Sequence, residues 1–296
     1  MHPDPATVWG GLMKRLKVQL VFWLSLSGIA LYLVVAGGGR NSKALQNKHS
    51  QCSNTSYGNG VVCVGGAGNG GDNTYLTTKS LTFSPSAGHA VIATAYTCAD
   101  SHCQNVPTTT MTIGDNLHNP EPCFQKSPNS PFSLIETSAG TQKLQDYIWV
   151  CPSIPFGITC FTITCSVANS CSYMTFTVTE WTGLATSNVF DADGGGASSV
   201  QQSSLSISTS KPLSFTNDLM YTWFDNTADE EMTPGAPYKQ VLQFFSGNLN
   251  SAIAVNTAGI QTTTASWTGN DDWYGVLAAI KTAASQPRKV SSHTSP

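Results

Sequence analysis

The chain has 296 residues, of which only 10% are charged, against about 25% in an ordinary globular protein. Ser, Thr, Asn and Gly take the place of the missing charges, as in many extracellular β proteins. The formal net charge is −3, and between positions 73 and 282 six basic residues face fifteen acidic ones, a balance of −9. No Lys/Arg cluster tracks a phosphate backbone, which takes several cationic contacts, so no nucleic-acid partner is expected.

Met13-Lys14-Arg15-Leu16-Lys17 precedes Val18 to Ala36, an uncharged apolar run. A basic n-region, an apolar h-region and Val34-Val35-Ala36 as a small-residue box describe a secretory signal, with Met13 as the conventional start. The run is also long enough to approach a spanning helix of about 20 residues. Residues 1–36 are therefore read as a signal peptide or a retained signal anchor, the chain's one means of touching a membrane. Lys14, Arg15 and Lys17 before the run are balanced by Arg40, Lys43 and Lys48 after it, so the positive-inside rule gives no orientation. The cysteines do: all nine follow the apolar run, and disulfides persist in oxidising compartments. The body is expected outside the cell or in the envelope.

Residues 37–72 read as a Gly/Asn-rich linker, 73–283 as one domain and 284–296 as a disordered polar tail. Cys98-Ala-Asp-Ser-His-Cys103 and Cys165-Ser-Val-Ala-Asn-Ser-Cys171 look like loop staples. With Cys52–Cys63 and Cys151–Cys160 they give one pairing among many, leaving Cys123 over; eight cysteines alone allow about 105 connectivities. His102 beside Cys103 hints at metal, but no CxxC pair or second His stands at ligand spacing.

The body lacks capped helix-period runs. Short stretches rich in Val, Ile, Thr, Phe and Tyr alternate with Gly/Pro/Asn/Ser clusters, the pattern of an all-β sandwich or barrel. Strands are predicted over 75–83, 90–97, 108–113, 147–150, 158–165, 172–181, 205–208, 218–224, 239–245, 252–256, 262–267 and 273–281. Alternation is clearest in Tyr173–Trp181: Met174, Phe176 and Val178 share one face, Thr175, Thr177 and Thr179 the other. Because Cys165 and Cys171 flank a turn, the strands on either side are predicted to form a disulfide-tipped antiparallel hairpin.

Five segments in order carry a resemblance over about residues 74–282. They are Ser86-Ala-Gly-His-Ala-Val-Ile-Ala93, Ile113-Gly-Asp-Asn-Leu-His-Asn119, Glu180-Trp-Thr-Gly-Leu184 leading to Phe190-Asp191, Asp218-Leu219-Met220, and Lys281-Thr-Ala283. Their sequence resembles an uncharacterised β-sandwich family of exported bacterial proteins that often lies beside Ig-like repeats. The chain departs from it in its many cysteines and in lacking the Gly of an Asp-x-x-Gly-Asn turn. The resemblance implies a single antiparallel jelly-roll or lectin-like (concanavalin-like) sandwich and transfers no catalytic residue.

Glu180 falls on the apolar side of its strand, where a carboxylate has to be hydrogen-bonded, paired or metal-bound. The readings open to it are a structural acceptor, a general acid and a Ca²⁺ ligand. Asp191-Ala-Asp193-Gly-Gly-Gly and the acidic loop Asp225 to Glu231, including Asp229, supply oxygen ligands of the kind calcium takes. No other cofactor is expected. Glycosidases need two carboxylates about 5–10 Å apart across a cleft, and nothing in the sequence places the second. Trp and Tyr on exposed strand ends stack on sugar rings, which makes Trp181, Trp223 and Trp273 the ligand-binding candidates. Asn54-Thr-Ser56 is an isolated glycosylation motif. Among the functions weighed, a non-catalytic surface or secreted module binding glycan leads, ahead of a carbohydrate-active hydrolase and of a stalk subunit bridged through the odd cysteine.

Overall fold

The computed structural model describes residues 52–70, 76–98, 110–118, 122–126, 132–137, 140–167, 171–226, 230–244 and 247–287. The signal or anchor segment, Cys103 and Asp229 lie outside the described residues. In chain order the strands are β1 (Thr55–Gly58), β2 (Val61–Asn69), β3 (Thr78–Thr82), β4 (Ala90–Cys98), β5 (Met111–Asp115) and β6 (Phe124–Lys126). They continue with β7 (Phe132–Thr137), β8 (Gly140–Cys151), β9 (Cys160–Cys165), β10 (Ser172–Thr182), β11 (Phe190–Ser208) and β12 (Phe215–Thr216). The last six are β13 (Asp218–Asn226), β14 (Thr233–Pro234), β15 (Lys239–Phe244), β16 (Asn248–Val255), β17 (Thr262–Ile280) and β18 (Gln286–Pro287).

The described chain is all-β with antiparallel pairing. A seven-stranded sheet runs β1-β2-β10-β4-β8-β6, with β7 also on β8. A six-stranded sheet runs β11-β17-β13-β16-β15, with β14 also on β17. A three-stranded sheet, β3-β9-β5, and the pair β12-β18 complete it.

The near-continuous apolar run Ala90-Val-Ile-Ala-Thr-Ala in β4 is what a strand buried on both faces requires. Ala90 and Ile92 enter a core shared with Trp181, Leu219, Trp223 and Val276, so both large sheets contribute to it. Val91, Ala93 and Ala95 enter a second core with Phe161, Ile163, Phe176 and Val178, shared with the three-stranded sheet. A third core, with Leu205, Phe224, Trp267, Trp273 and Leu277, lies on the other face of the six-stranded sheet. The alternation read in β10 holds: Met174, Phe176 and Val178 share the second core. Its threonines turn to the other layer, with Thr175, Thr177 and Thr179 buried.

Several expectations are corrected. The hairpin between 158–165 and 172–181 does not form: β9 pairs with β3 and β5, while β10 pairs with β2 and β4. The Cys165–Cys171 disulfide, Cα–Cα 6.4 Å, therefore ties two sheets together. A cross-link fixes proximity, but the ladder goes to whichever strand offers the matching edge, and β10 already has both edges occupied.

The linker assignment for 37–72 fails over residues 52–70. The Gly-rich segment Val61–Asn69 is β2, hydrogen-bonded to β10 from Phe176↔Asn69 to Thr182↔Val62. Glycine weakens a strand on its own, but here a neighbouring strand and the Cys52–Cys63 disulfide hold the segment in place. The tail assignment for 284–296 fails at its start, because Gln286 and Pro287 pair with Thr216 and Phe215. The strand read over 205–208 is the far end of β11, and 262–267 and 273–281 belong to one strand, β17.

Among the described residues Cys52–Cys63 and Cys165–Cys171 form as expected, while Cys103, the expected partner of Cys98, lies outside them. Cys98 is disulfide-bonded. Cys151 joins Cys123 rather than Cys160, leaving Cys160 free. The reason is register: β6 pairs Phe124 with Val150, which sets Cys123 beside Cys151 with the Cα atoms 4.3 Å apart.

Candidate functional site

Two strands of 19 residues, β11 and β17, build the most distinctive feature of the described surface. They pair along their length, but the register jumps between Ser198, Gln202 and Ser204 on one side and Trp273, Asp271 and Ser266 on the other. At this break the ladder turns back over the six-stranded sheet. Ser210 returns to Asp193, donating from its N–H and its hydroxyl to the Asp193 carbonyl at 2.7 and 2.8 Å. The folded-back strand lies directly against Gly194, where a Cβ would collide with the Ser208 carbonyl. The Gly194-Gly195-Gly196 run, expected from sequence to be a loop beside possible calcium ligands, is therefore strand, and the missing side chain at Gly194 is what lets the ladder double back.

On the folded-back half, Leu205, Ile207, Ala265 and Trp267 point into the third core. Ser204, Ser206, Ser208, Thr262, Thr264 and Ser266 are exposed. Register pairs them as Ser204↔Ser266, Ser206↔Thr264 and Ser208↔Thr262, three rungs of facing hydroxyl side chains. The last rung closes with a 2.8 Å hydrogen bond between the Ser208 and Thr262 hydroxyls.

A groove of about 450 Å³ opens here, lined by Gln202, Ser204, Ser206, Thr264, Ser266 and Trp273 together with Leu205, Ala265 and Gly235. That volume falls in the range of small-ligand sites, about 300–1,000 Å³. Gly235 donates its N–H to the Thr264 carbonyl at 2.8 Å, and a Cβ on it would collide with the Thr264 hydroxyl. Trp273 is 6% exposed and its indole N–H is buried without a hydrogen-bond partner. No lining residue is charged. Asp271 stands opposite Gln202 across the ladder. The Asp272 carboxyl beside it is pushed up by burial and then by the Asp271 charge.

Of the tryptophans singled out from sequence, only Trp273 reaches this groove. Trp181 and Trp223 are 0% exposed and offer no face to a ligand. Trp181 packs on Tyr57 and Tyr221 and donates to the Thr179 hydroxyl at 2.8 Å. Trp223 stacks on Tyr96. Both are central to the core between the large sheets, where large flat side chains bury the most area.

The acidic candidates resolve into hydrogen-bonded structural groups. Glu180 Oε1 accepts from the Ser86 N–H at 2.9 Å and stands 2.6 Å from His89 Nδ1. Two of the segments that carry the family resemblance thus meet in one corner, and His89, overlooked in the sequence, is the partner. Asp191 Oδ2 accepts the Ser214 and Phe215 N–H groups at 2.7 and 3.0 Å. Asp193 lies within 3.5 Å of the Ser210 hydroxyl. Asp225 Oδ2 accepts from the Tyr274 hydroxyl at 2.5 Å. Among the described residues no three His, Cys, Asp or Glu side chains are grouped as a metal site. The calcium ligand set drawn from Glu180, Asp191, Asp193 and Asp225 is thus not assembled.

Asp218 is fully buried and accepts from the Ser285 hydroxyl at 2.7 Å. Its carboxyl rises from 3.8 to about 6, chiefly through burial and with the Asp191 charge adding, while the Ser285 bond and Lys281 oppose. A carboxyl that holds its proton more tightly folded than unfolded favours folding most below pH ~4 and loses that contribution as pH climbs toward ~6. Asp218→Asn is expected to be more stable than the parent at pH 7. It should also flatten the decline in melting temperature between pH 4 and 6, measured by thermal scans across that window. An unchanged slope would remove Asp218 from the account.

No protein-family model matches the sequence, and no curated protein or solved structure is significantly similar to it.

Proposed function

We propose that this chain is an exported, non-catalytic β-sandwich module that binds glycan in the Trp273 groove. The supporting observation is the coincidence, in one uncharged groove, of an indole and a row of exposed Ser and Thr side chains. Sugars are recognised through hydroxyl networks and apolar ring faces, and hydroxyl side chains both donate and accept. The core shared by the two large antiparallel sheets supports the sandwich reading. The Cys52–Cys63, Cys123–Cys151 and Cys165–Cys171 bridges support life in an oxidising compartment, since such bonds are rare in the cytosol. The resemblance to exported bacterial sandwich domains agrees with both. The hydrolase alternative gains nothing from Glu180, whose oxygen is engaged by Ser86 and His89.

The test is a glycan array followed by titration of the hits against Ser206→Trp and Ser266→Arg. Both positions are exposed, so these variants should melt with the parent while losing at least about tenfold in affinity, roughly 1.4 kcal/mol. Full affinity in both variants, or an array without hits, overturns the assignment.

A further inference from the structure

Resting on that reading, we infer that the ligand is a neutral, extended oligosaccharide laid along the hydroxyl rungs, with one end in the Trp273 groove. Three observations converge on this chemistry.

The first is charge. No groove-lining residue is charged, and Asp271 faces Gln202 at the groove's end. Glu230 lies against Gly269, two residues before Asp271 in β17, close enough that a Cβ there would come within 2.5 Å of its Oε1. An anionic sugar would approach carboxylates with no cation in the groove to offset them, and charge of like sign costs affinity and encounter rate. A uronate or sulfated chain is therefore disfavoured.

The second is shape. The groove is lined by the rungs Ser204↔Ser266 and Ser206↔Thr264, but the ladder continues beyond it to Ser208↔Thr262. Alternate residues of a strand are roughly 6.6–6.8 Å apart and neighbouring strands about 4.8 Å. Three rungs thus lay out a polar track roughly 13 Å long, more than a single sugar ring occupies. All six side chains on it are exposed, and each hydroxyl both donates and accepts, the complement of a chain of sugar hydroxyls.

The third is Trp273. The side chain is more than nine-tenths buried, lines the groove and carries an indole N–H without a partner. It is the one aromatic side chain in the groove lining and supplies an apolar surface of the kind that packs against a sugar ring.

The experiment is calorimetric titration of the whole chain with neutral gluco-oligosaccharides of two to six units and with oligogalacturonates of the same lengths. Parent, Ser206→Trp and a double variant Ser208→Arg/Thr262→Arg are compared. The expected result is neutral binding that tightens at least about tenfold from two units to six. Ser206→Trp should abolish it at every length. The double variant, placed outside the groove, should weaken only the longer chains. Binding of neutral sugars without length dependence, or equal loss at all lengths in the double variant, overturns the extended track. Preference for oligogalacturonates overturns the neutral assignment while leaving the glycan reading intact. If neither series binds and the array is also empty, the glycan reading falls with it.

Discussion

Replacing Trp223 by alanine is expected to cost about 3–5 kcal/mol of folding free energy, the range for deleting a buried tryptophan. The side chain is 0% exposed. Its ring lies 5.2 Å from Tyr96 in a stacked arrangement and 6.0 Å from Tyr274 edge-on. Tyr274 in turn donates to Asp225 at 2.5 Å, so the hole would open beside a buried hydrogen bond as well as in the apolar core. A typical domain has only about 5–15 kcal/mol in total, which makes the loss roughly a fifth or more of what holds the fold. Trp181→Ala should fall in the same range, since Trp181 joins Tyr57 and Tyr221 across the two large sheets. Urea unfolding followed by fluorescence and circular dichroism measures both. A loss below about 1 kcal/mol at Trp223 would contradict its place in the core. One consequence bears on function: lost ligand binding in either variant would report unfolding rather than a missing contact, which is why the groove is tested at Ser206 and Ser266.

Gly194→Ala is expected to be at least as damaging as overpacked core substitutions, at or above about 3 kcal/mol. The added methyl would collide with the Ser208 carbonyl and stand 3.1 Å from the Thr209 Cα. Both are backbone atoms, so no side-chain rotation relieves the clash and the folded-back half of the ladder would have to lift. Because that half carries Leu205, Ile207 and Ala265 into the third core, lifting it would also expose apolar surface. Gly65→Ala is the control: a Cβ there meets nothing within 4 Å, and the substitution should change stability by no more than about 0.5 kcal/mol. If the two variants unfold at the same denaturant concentration, the doubling back of β11 is wrong.

The fold class was legible because period-two alternation follows directly from strand geometry. Tyr173–Trp181 shows it in the letters alone, and Met174, Phe176 and Val178 do share one face. What misled was composition. Gly65-Gly-Ala-Gly68 and Gly194-Gly-Gly196 have the low strand propensity of linkers, but both are strands. In each case a partner segment supplies the hydrogen bonds, and at Gly194 the close approach of Ser208 also needs the absence of a side chain. Nor did spacing along the chain identify disulfide partners, since Cys151 was matched to its near neighbour Cys160 while the sheet register set it beside Cys123.

The candidate site was the least legible part. Trp181 and Trp223 drew attention because tryptophan at a strand end reads equally well as core or as binding platform, and only packing separates the two. Ser204, Ser206, Thr264 and Ser266 carried a signal, alternate hydroxyl residues on two segments, but nothing in the letters brought those segments together across some 60 positions. Glu180 was correctly placed at the edge of an apolar face, and its partner His89, 91 positions away, was not.

By itself the sequence determined the all-β class, the low charge, the abundance of cysteines and the strand faces, all of which depend on local period and composition. Only the tertiary structure decided which strands pair, which cysteines join and which tryptophan meets a groove. These are long-range contacts, and their energies come from register and packing between segments whose separation along the chain says nothing of their distance in space.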